Sequence, residues 1–173
     1  FEPSSDDVCI EDIAHALSLT CRYGGHTRKF YSVAQHSVYV AGLVAGADKR
    51  WALAGLLHDA AEAYVGDLIR PIKRNLERYQ EMEAGVMLAV NEKFRLNPIS
   101  PAVVKWADEV AMRNEHRDLM RDGRLWTIDN IDGPEFPVVP MTSERSEKLF
   151  LRLYADILKE EEFRWVIPGS MPY

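Results

Sequence analysis

Residues 56–62 read Leu-Leu-His-Asp-Ala-Ala-Glu, an imidazole and two carboxylates inside an apolar, helix-favouring stretch. Burying that much polarity requires a compensating partner. Side chains four residues apart share a face of a helix, so His58 and Glu62 point the same way with Asp59 beside them, and all three can approach one ion. A His-Asp pair by itself more often makes a structural hydrogen bond. The rest of the chain tips the balance. His36 falls on or beside the small and branched stripe of an earlier helical pattern, and Asp108 sits in the middle of a later one, where Asp has poor helix propensity and needs a contact. His36, His58, Asp59 and Asp108 make a mixed nitrogen and oxygen donor set. Such a set suits a single zinc, cobalt, manganese or iron ion and leaves coordination positions open for water and substrate. No histidine lies between Asp59 and Asp108, which argues against a second metal.

Two further stretches carry charge suited to an anionic ligand. In Cys21-Arg22-Tyr23-Gly24-Gly25-His26-Thr27 the adjacent glycines break helical periodicity and predict a loop. A guanidinium pairs with phosphate through its planar fork and a tyrosine offers a stacking face, although the same text also suits a plain connection between helices. After Tyr64 come Gly66-Asp67 and then Arg70-Pro71-Ile72-Lys73-Arg74. The glycine and proline predict a loop there, with its cations either solvated or facing phosphate.

The elements that position these residues follow from apolar spacing. A first helix spans Ile10 to Leu19, and Ser32 caps a second running to about Ala45. Asp48 starts a third through Trp51, Ala54, Leu57 and Ala61, which carries the whole His58-Asp59-Glu62 group. A short turn between the second and third helices makes them an antiparallel pair and brings His36 within reach of His58. Further helices run from Leu76 to Phe94, Ala102 to Met120 and from a Ser143 cap through Ile157, with Pro98 and Pro101 between the first two and Pro168-Gly169 closing the chain. Asp122 to Met141, rich in Gly, Pro and Asp, predicts a long ordered loop or short hairpin with no assigned chemistry. Without an internal repeat or a linker, residues 1–173 read as one all-α domain, a helical bundle.

At 173 residues, 47% hydrophobic and 28% charged, the chain has the composition of a soluble globular domain. Its longest apolar run, Val38 to Ala47, is ten residues, against about 18 for a spanning helix, so no membrane partner is expected. A net charge of −6 opposes binding of a nucleic-acid polymer. Two cysteines without a Cys-x-x-Cys, and no leader pattern, point to a reducing cytoplasm.

The order His36, His58-Asp59, Asp108 resembles the HD-domain metal-dependent phosphohydrolases. The segments Asp12-Ile13-Ala14-His15-Ala16-Leu17-Ser18, Cys21 to His26, Phe30-Tyr31-Ser32-Val33-Ala34-Gln35-His36-Ser37 and Leu57 to Tyr64 are similar to the compact branch that holds bacterial 5'-deoxynucleotidase and phage dATP triphosphohydrolases. The resemblance covers roughly residues 10–120. It implies one divalent metal ion on His36, His58, Asp59 and Asp108 and a small-molecule nucleotide as substrate, with a homo-oligomer left open. It further implies that Glu62 is the catalytic carboxylate and Asp67 a second acid, that Arg22 binds phosphate and that Tyr23 lies near sugar and base. Lys73 and Lys105 match positions that hold outer phosphates, and Pro71 one beside the base. Gly25 replaces a bulkier apolar residue associated with adenine selection in a phage relative, so the resemblance implies no base preference. The expected activity is deoxynucleoside triphosphate hydrolysis. The alternatives are a 5'-deoxynucleotidase, an alarmone hydrolase and a non-catalytic nucleotide sensor. Retention of every ligand with Glu62 disfavours the sensor, and Ala63 in place of a paired acid disfavours the alarmone hydrolase.

Overall fold

Helix α2 (Val33–Val44) is the centre of the bundle. Ser32 caps it, its Oγ accepting the Gln35 N–H at 3.1 Å. Every residue from Tyr31 to Ala41 is buried. A helix apolar on nearly every face must be surrounded, and here α1 (Ile10–Leu19), α3 (Lys49–Leu57), α7 (Pro101–Leu119) and α8 (Ser143–Leu158) all pack on it. One core cluster, built on Ile13, Leu17, Leu56, Leu57, Phe150 and Leu153, fills the side toward α1, α3 and α8. A second, with Tyr31, Tyr39, Val40, Ala107, Ala111 and Val138, fills the side toward α7. The computed structural model describes residues 2–46, 48–96, 101–120 and 127–159. Pro98, the Asp122–Trp126 part of the expected loop and Pro168-Gly169 lie outside them.

The fold is all-α. Among the described residues there is no strand, and extended pairing is confined to a bridge between Cys21 and Ser32. It is flanked by Arg22 N–H to Tyr31 O at 2.9 Å and Val33 N–H to Thr20 O at 3.0 Å, which tie the Arg22 turn to the start of α2. Among the described residues no helix is long and apolar enough to cross a membrane.

Three local expectations are corrected and one is narrowed. The third helix does not run through Ala61 but stops at Leu57. His58 Nδ1–H donates to the Gly55 carbonyl at 2.8 Å, taking the acceptor that a continuing helix would offer to Asp59 N–H. The chain then tightens into three-residue turns, with Ala60 N–H to Leu57 O and Glu62 N–H to Asp59 O both at 3.0 Å, before α4 (Glu62–Val65). Gly66, at φ 83°, ends α4. Second, the basic cluster is not a loop but a single helical turn, α5 (Arg70–Lys73). Pro71 has its φ preset for the first turn, where its missing N–H leaves no bond unmade. Helix α6 (Glu77–Lys93) follows and packs against both α4 and α5.

Third, of the two forms expected for Asp122–Met141, the described part takes the loop and not the hairpin. A 3-10 turn at Thr127–Asn130 leads into an extended strap along α7. Its carbonyls are satisfied by side chains: Arg113 reaches Ile131, Gly133 and Pro134, Arg117 reaches Phe136, and Gln35 reaches Val139. Pro134, Pro137 and Pro140 lack the N–H groups that a ladder would use. Fourth, Thr142 rather than Ser143 caps α8, its Oγ1 accepting the Arg145 N–H at 3.3 Å.

One contact sets the distance between the helices that carry the histidines. A Cβ on Gly55 would lie 3.1 Å from Ala41 Cα and 3.2 Å from Ala41 N, so α3 approaches the α2 backbone more closely than a Cβ fits without a shift of a few tenths of an ångström.

Candidate metal and substrate site

His36 projects from the buried first turn of α2 and His58 from the turn after α3, with ring centroids 5.2 Å apart. Each has one ring nitrogen committed. His58 Nδ1 faces a carbonyl, which can only accept. His36 Nδ1 lies 2.6 Å from Glu115 Oε1, a carboxylate oxygen that Tyr31 also uses as an acceptor. Both Nδ1 atoms therefore carry protons and donate them, which turns both Nε2 atoms toward the same space.

Two carboxylates meet them there. Asp59 Oδ2 is 3.2 Å from His58 Nε2 and 3.8 Å from His36 Nε2, and Asp108 Oδ1 is 3.1 Å from His36 Nε2. Ligand atoms of His36, His58 and Asp108 lie within 4.8 Å of one another. Both Nε2 atoms are buried without an aligned hydrogen-bond partner among the described residues, although carboxylate oxygens surround them. Buried polar atoms left without partners are what an ion would satisfy, so the His36, His58 and Asp108 cluster is compatible with a divalent metal; Asp59 lies beside that cluster, next to both Nε2 atoms. Both carboxylates are held in the ionised form. Burial pushes Asp59 up, but His58, Arg22 and His36 hold it far below the ordinary carboxylate range. Asp108 is likewise depressed against its burial, by His36 and Arg22.

Arg22 spans the set. Its Nη1 and Nη2 lie 3.3 Å from Asp59 Oδ2 and 3.4 Å from Asp108 Oδ1, while Nε is 3.3 Å from Glu115 Oε2. Tyr23 beside it has left-handed backbone, φ 58°, followed by Gly24 at 58° and Gly25 at 80°. That turn swings the Tyr23 ring to 5.2 Å from the Arg22 guanidinium carbon and its hydroxyl onto Glu115.

A cavity of about 830 Å³ opens over these groups. Arg22, Tyr23, Asp59, Glu62, Asp67, Pro71, Lys73 and Asp108 all line it. His36 and His58 lie beneath it, through their contacts with Asp59 and Asp108. Lys105 is exposed on α7 and is not among the lining residues. Glu62 is buried, with Oε2 unpartnered among the described residues and Oε1 3.8 Å from Lys73 Nζ. Burial, with the nearby Asp59 and Asp67 charges, pushes its carboxyl up to about 9. Burial also raises Asp67, partly offset by Arg22. Lys73 additionally pairs with Glu83 of α6.

Several residues of the site were not singled out by sequence reasoning. Arg70, considered only as one of a basic cluster, donates to Asp108 Oδ2 at 2.8 Å. Glu115 and Tyr31 hold His36 from behind; the available signal was a carboxylate seven residues after Asp108, on the same buried stripe of α7. Met112, Met120 and Ile128 form an apolar wall, Ile128 coming from the segment to which no chemistry was assigned.

The HD domain family profile matches residues 30–166. The match passes beyond α8, whereas the motif-level resemblance stops near residue 120. The chain is 38% identical over 157 residues to uncharacterized protein YfdR of Escherichia coli (strain K12), covering 89% of this chain and 86% of that protein. It is 41% identical over 149 residues to uncharacterized protein RCAP_rcc00048 of Rhodobacter capsulatus, covering 80% of this chain and 76% of that protein.

Proposed function

This chain belongs to the HD-domain family of metal-dependent phosphohydrolases, and we propose that it acts on deoxynucleotides, hydrolysing a deoxynucleoside triphosphate of the dATP type with release of inorganic triphosphate. One observation carries this reading: α5 and the Arg74 that follows it set Arg70, Lys73 and Arg74 along the same cavity as Arg22 and the metal donor set. That is more positive charge than one phosphate needs, in a volume roomy enough for a nucleotide.

His36, His58, Asp59 and Asp108 would hold the ion. When bound, a divalent cation supplies Lewis acidity, polarising a phosphoryl oxygen and making a water nucleophilic near neutral pH. The chain's own groups divide the remaining work. Arg22, buried and fixed at three nitrogens, binds the phosphate nearest the donor set through its planar fork. The α5 cations neutralise the outer phosphates. Glu62 and Asp67, both raised above the usual carboxylate range and both facing the cavity, are the groups that hold and move protons at the reacting phosphate. Tyr23, Pro71 and the wall of Met112, Met120 and Ile128 exclude water and receive sugar and base.

A 5'-deoxynucleotidase is the second reading. It is favoured by the pairing of Lys73 with Glu83 and of Arg70 with Asp108, and by the exposure of Lys105 away from the cavity, all of which reduce the surplus of charge. Incubation with cobalt or manganese and a panel of deoxynucleoside mono- and triphosphates, followed by product identification, separates them. Triphosphate released from dATP supports the first reading. Orthophosphate from dAMP with dATP intact replaces it with the second, and binding without turnover of any nucleotide replaces both with a sensor.

A further inference from the structure

Glu115 does not line the cavity and is wholly buried, behind the His36 ring and the Arg22 guanidinium. It lies two turns after Asp108 on α7, so both carboxylates leave the same face of that helix. Its oxygens serve different partners. Oε1 accepts from His36 Nδ1–H at 2.6 Å and from the Tyr31 hydroxyl at 2.8 Å. Oε2 accepts from Arg22 Nε–H at 3.3 Å and from the Tyr23 hydroxyl. All four donors come from the Arg22 turn and the start of α2, the two segments tied by the Cys21–Ser32 bridge.

We propose that Glu115 is a positioning residue that couples metal retention to phosphate binding, one carboxylate oxygen fixing His36 and the other fixing Arg22. The inference rests on the phosphohydrolase reading of the site. His36 presents Nε2 to an ion only while Nδ1 keeps its proton, which needs an acceptor behind the ring. Arg22 is planar, so gripping Nε aims Nη1 and Nη2 together at the space over Asp59 and Asp108. A carboxylate offers acceptors on both arms. An amide offers one acceptor and one donor, and both His36 Nδ1 and Arg22 Nε are donors, so glutamine at this position can satisfy only one side.

This geometry gives Glu115→Ala and Glu115→Gln different expected effects. Glu115→Ala loses both acceptors, and affinities for cobalt and for inorganic phosphate on the cobalt-loaded chain each fall by about ten- to a hundredfold. In Glu115→Gln the ion keeps Nδ1 protonated, so the amide oxygen turns to His36 and the amide NH2 to Arg22. Cobalt affinity then changes by less than about threefold while phosphate weakens by about tenfold or more. Titration calorimetry on the folded variants reads both affinities. A merely structural role predicts no such split: both affinities unchanged, or both reduced by one factor in Glu115→Gln, would overturn the proposal. Should the variants fail to fold, nitrogen-edited NMR of the zinc-loaded wild type tests the same geometry. A slowly exchanging proton on His36 Nδ1 is expected, and a Nδ1 without one overturns the proposal. A wild-type chain that takes up no cobalt or zinc removes the phosphohydrolase reading and the coupling together, whereas failure of the coupling alone leaves that reading standing.

Discussion

Glu62 shows what a single side chain contributes beyond coordination. Glu62 lines the cavity, its buried Oε2 has no hydrogen-bond partner among the described residues, and burial beside Asp59 holds its carboxyl near 9. Glu62→Gln keeps the volume and removes the exchangeable proton, so turnover should drop by about two to four powers of ten. Metal content by elemental analysis should stay at the wild-type value; its loss would make Glu62 a ligand instead. His58→Ala, by contrast, should lose metal and activity together. Residues of this kind stand out in a sequence because charge interrupts an apolar helix, as it does at His58, Asp59 and Glu62. Glu115 gives the same signal more weakly, since one acid on a long charged helix resembles any solvated one. Met112, Met120 and Ile128 give none, because an apolar residue looks alike whether it fills a core or walls a cavity.

At the scale of elements, the helices were legible from their apolar spacing: α1 and α2 start and stop within a residue or so of where their patterns do. Two pieces were not legible. The break after Leu57 depends on a histidine ring competing for a backbone carbonyl, a choice that periodicity does not encode. The one-turn α5 is too short to show a period. That short helix bears the question of substrate, because it holds Lys73 between Glu83 of α6 and Glu62 of α4. Lys73→Ala should weaken deoxynucleoside triphosphates by about ten- to a hundredfold, as expected for one charge-assisted contact, and leave dAMP nearly untouched. Inhibition constants for dATP and dAMP measure the difference. Equal effects on the two would move the cut to a monophosphate.

For the whole molecule, the site makes stability depend on protons. Without an ion, burial and Arg22 disfavour the His36 imidazolium, but Glu115 and Asp108 outweigh them and raise its pKa from 6.5 to about 9. Its stabilisation is complete below 6.5 and is lost as pH rises through 9. Glu62, raised from 4.5 to about 9, acts in the same direction, because the folded chain keeps a proton that the unfolded chain releases. Asp59, Asp108 and Glu115, all depressed, contribute fully above their unfolded values and lose that contribution only in acid. Scanning calorimetry in chelator should therefore show Tm falling as pH is raised from 6.5 to 9. Saturating cobalt should flatten the slope, since metal on His36 replaces the proton. A Tm that climbs over that range in chelator would contradict this account of His36 and Glu62.

The contact between Gly55 and Ala41 has a consequence for ionic radius. His36 rides on the α2 backbone and His58 on the end of α3, so the gap between those two backbones sets the bite of the imidazole pair. Both atoms that a Cβ would meet, at 3.1 and 3.2 Å, are backbone and cannot swing aside, so Gly55→Ala must part the helices by a few tenths of an ångström. A wider bite suits a larger cation. The variant should shift its preference from zinc and cobalt toward manganese, read as a change in the ratio of their affinities in direct competition, and an unchanged ratio would mean that the turn at His58 absorbs the displacement. A residue with no side chain would then select the element that the four ligands hold.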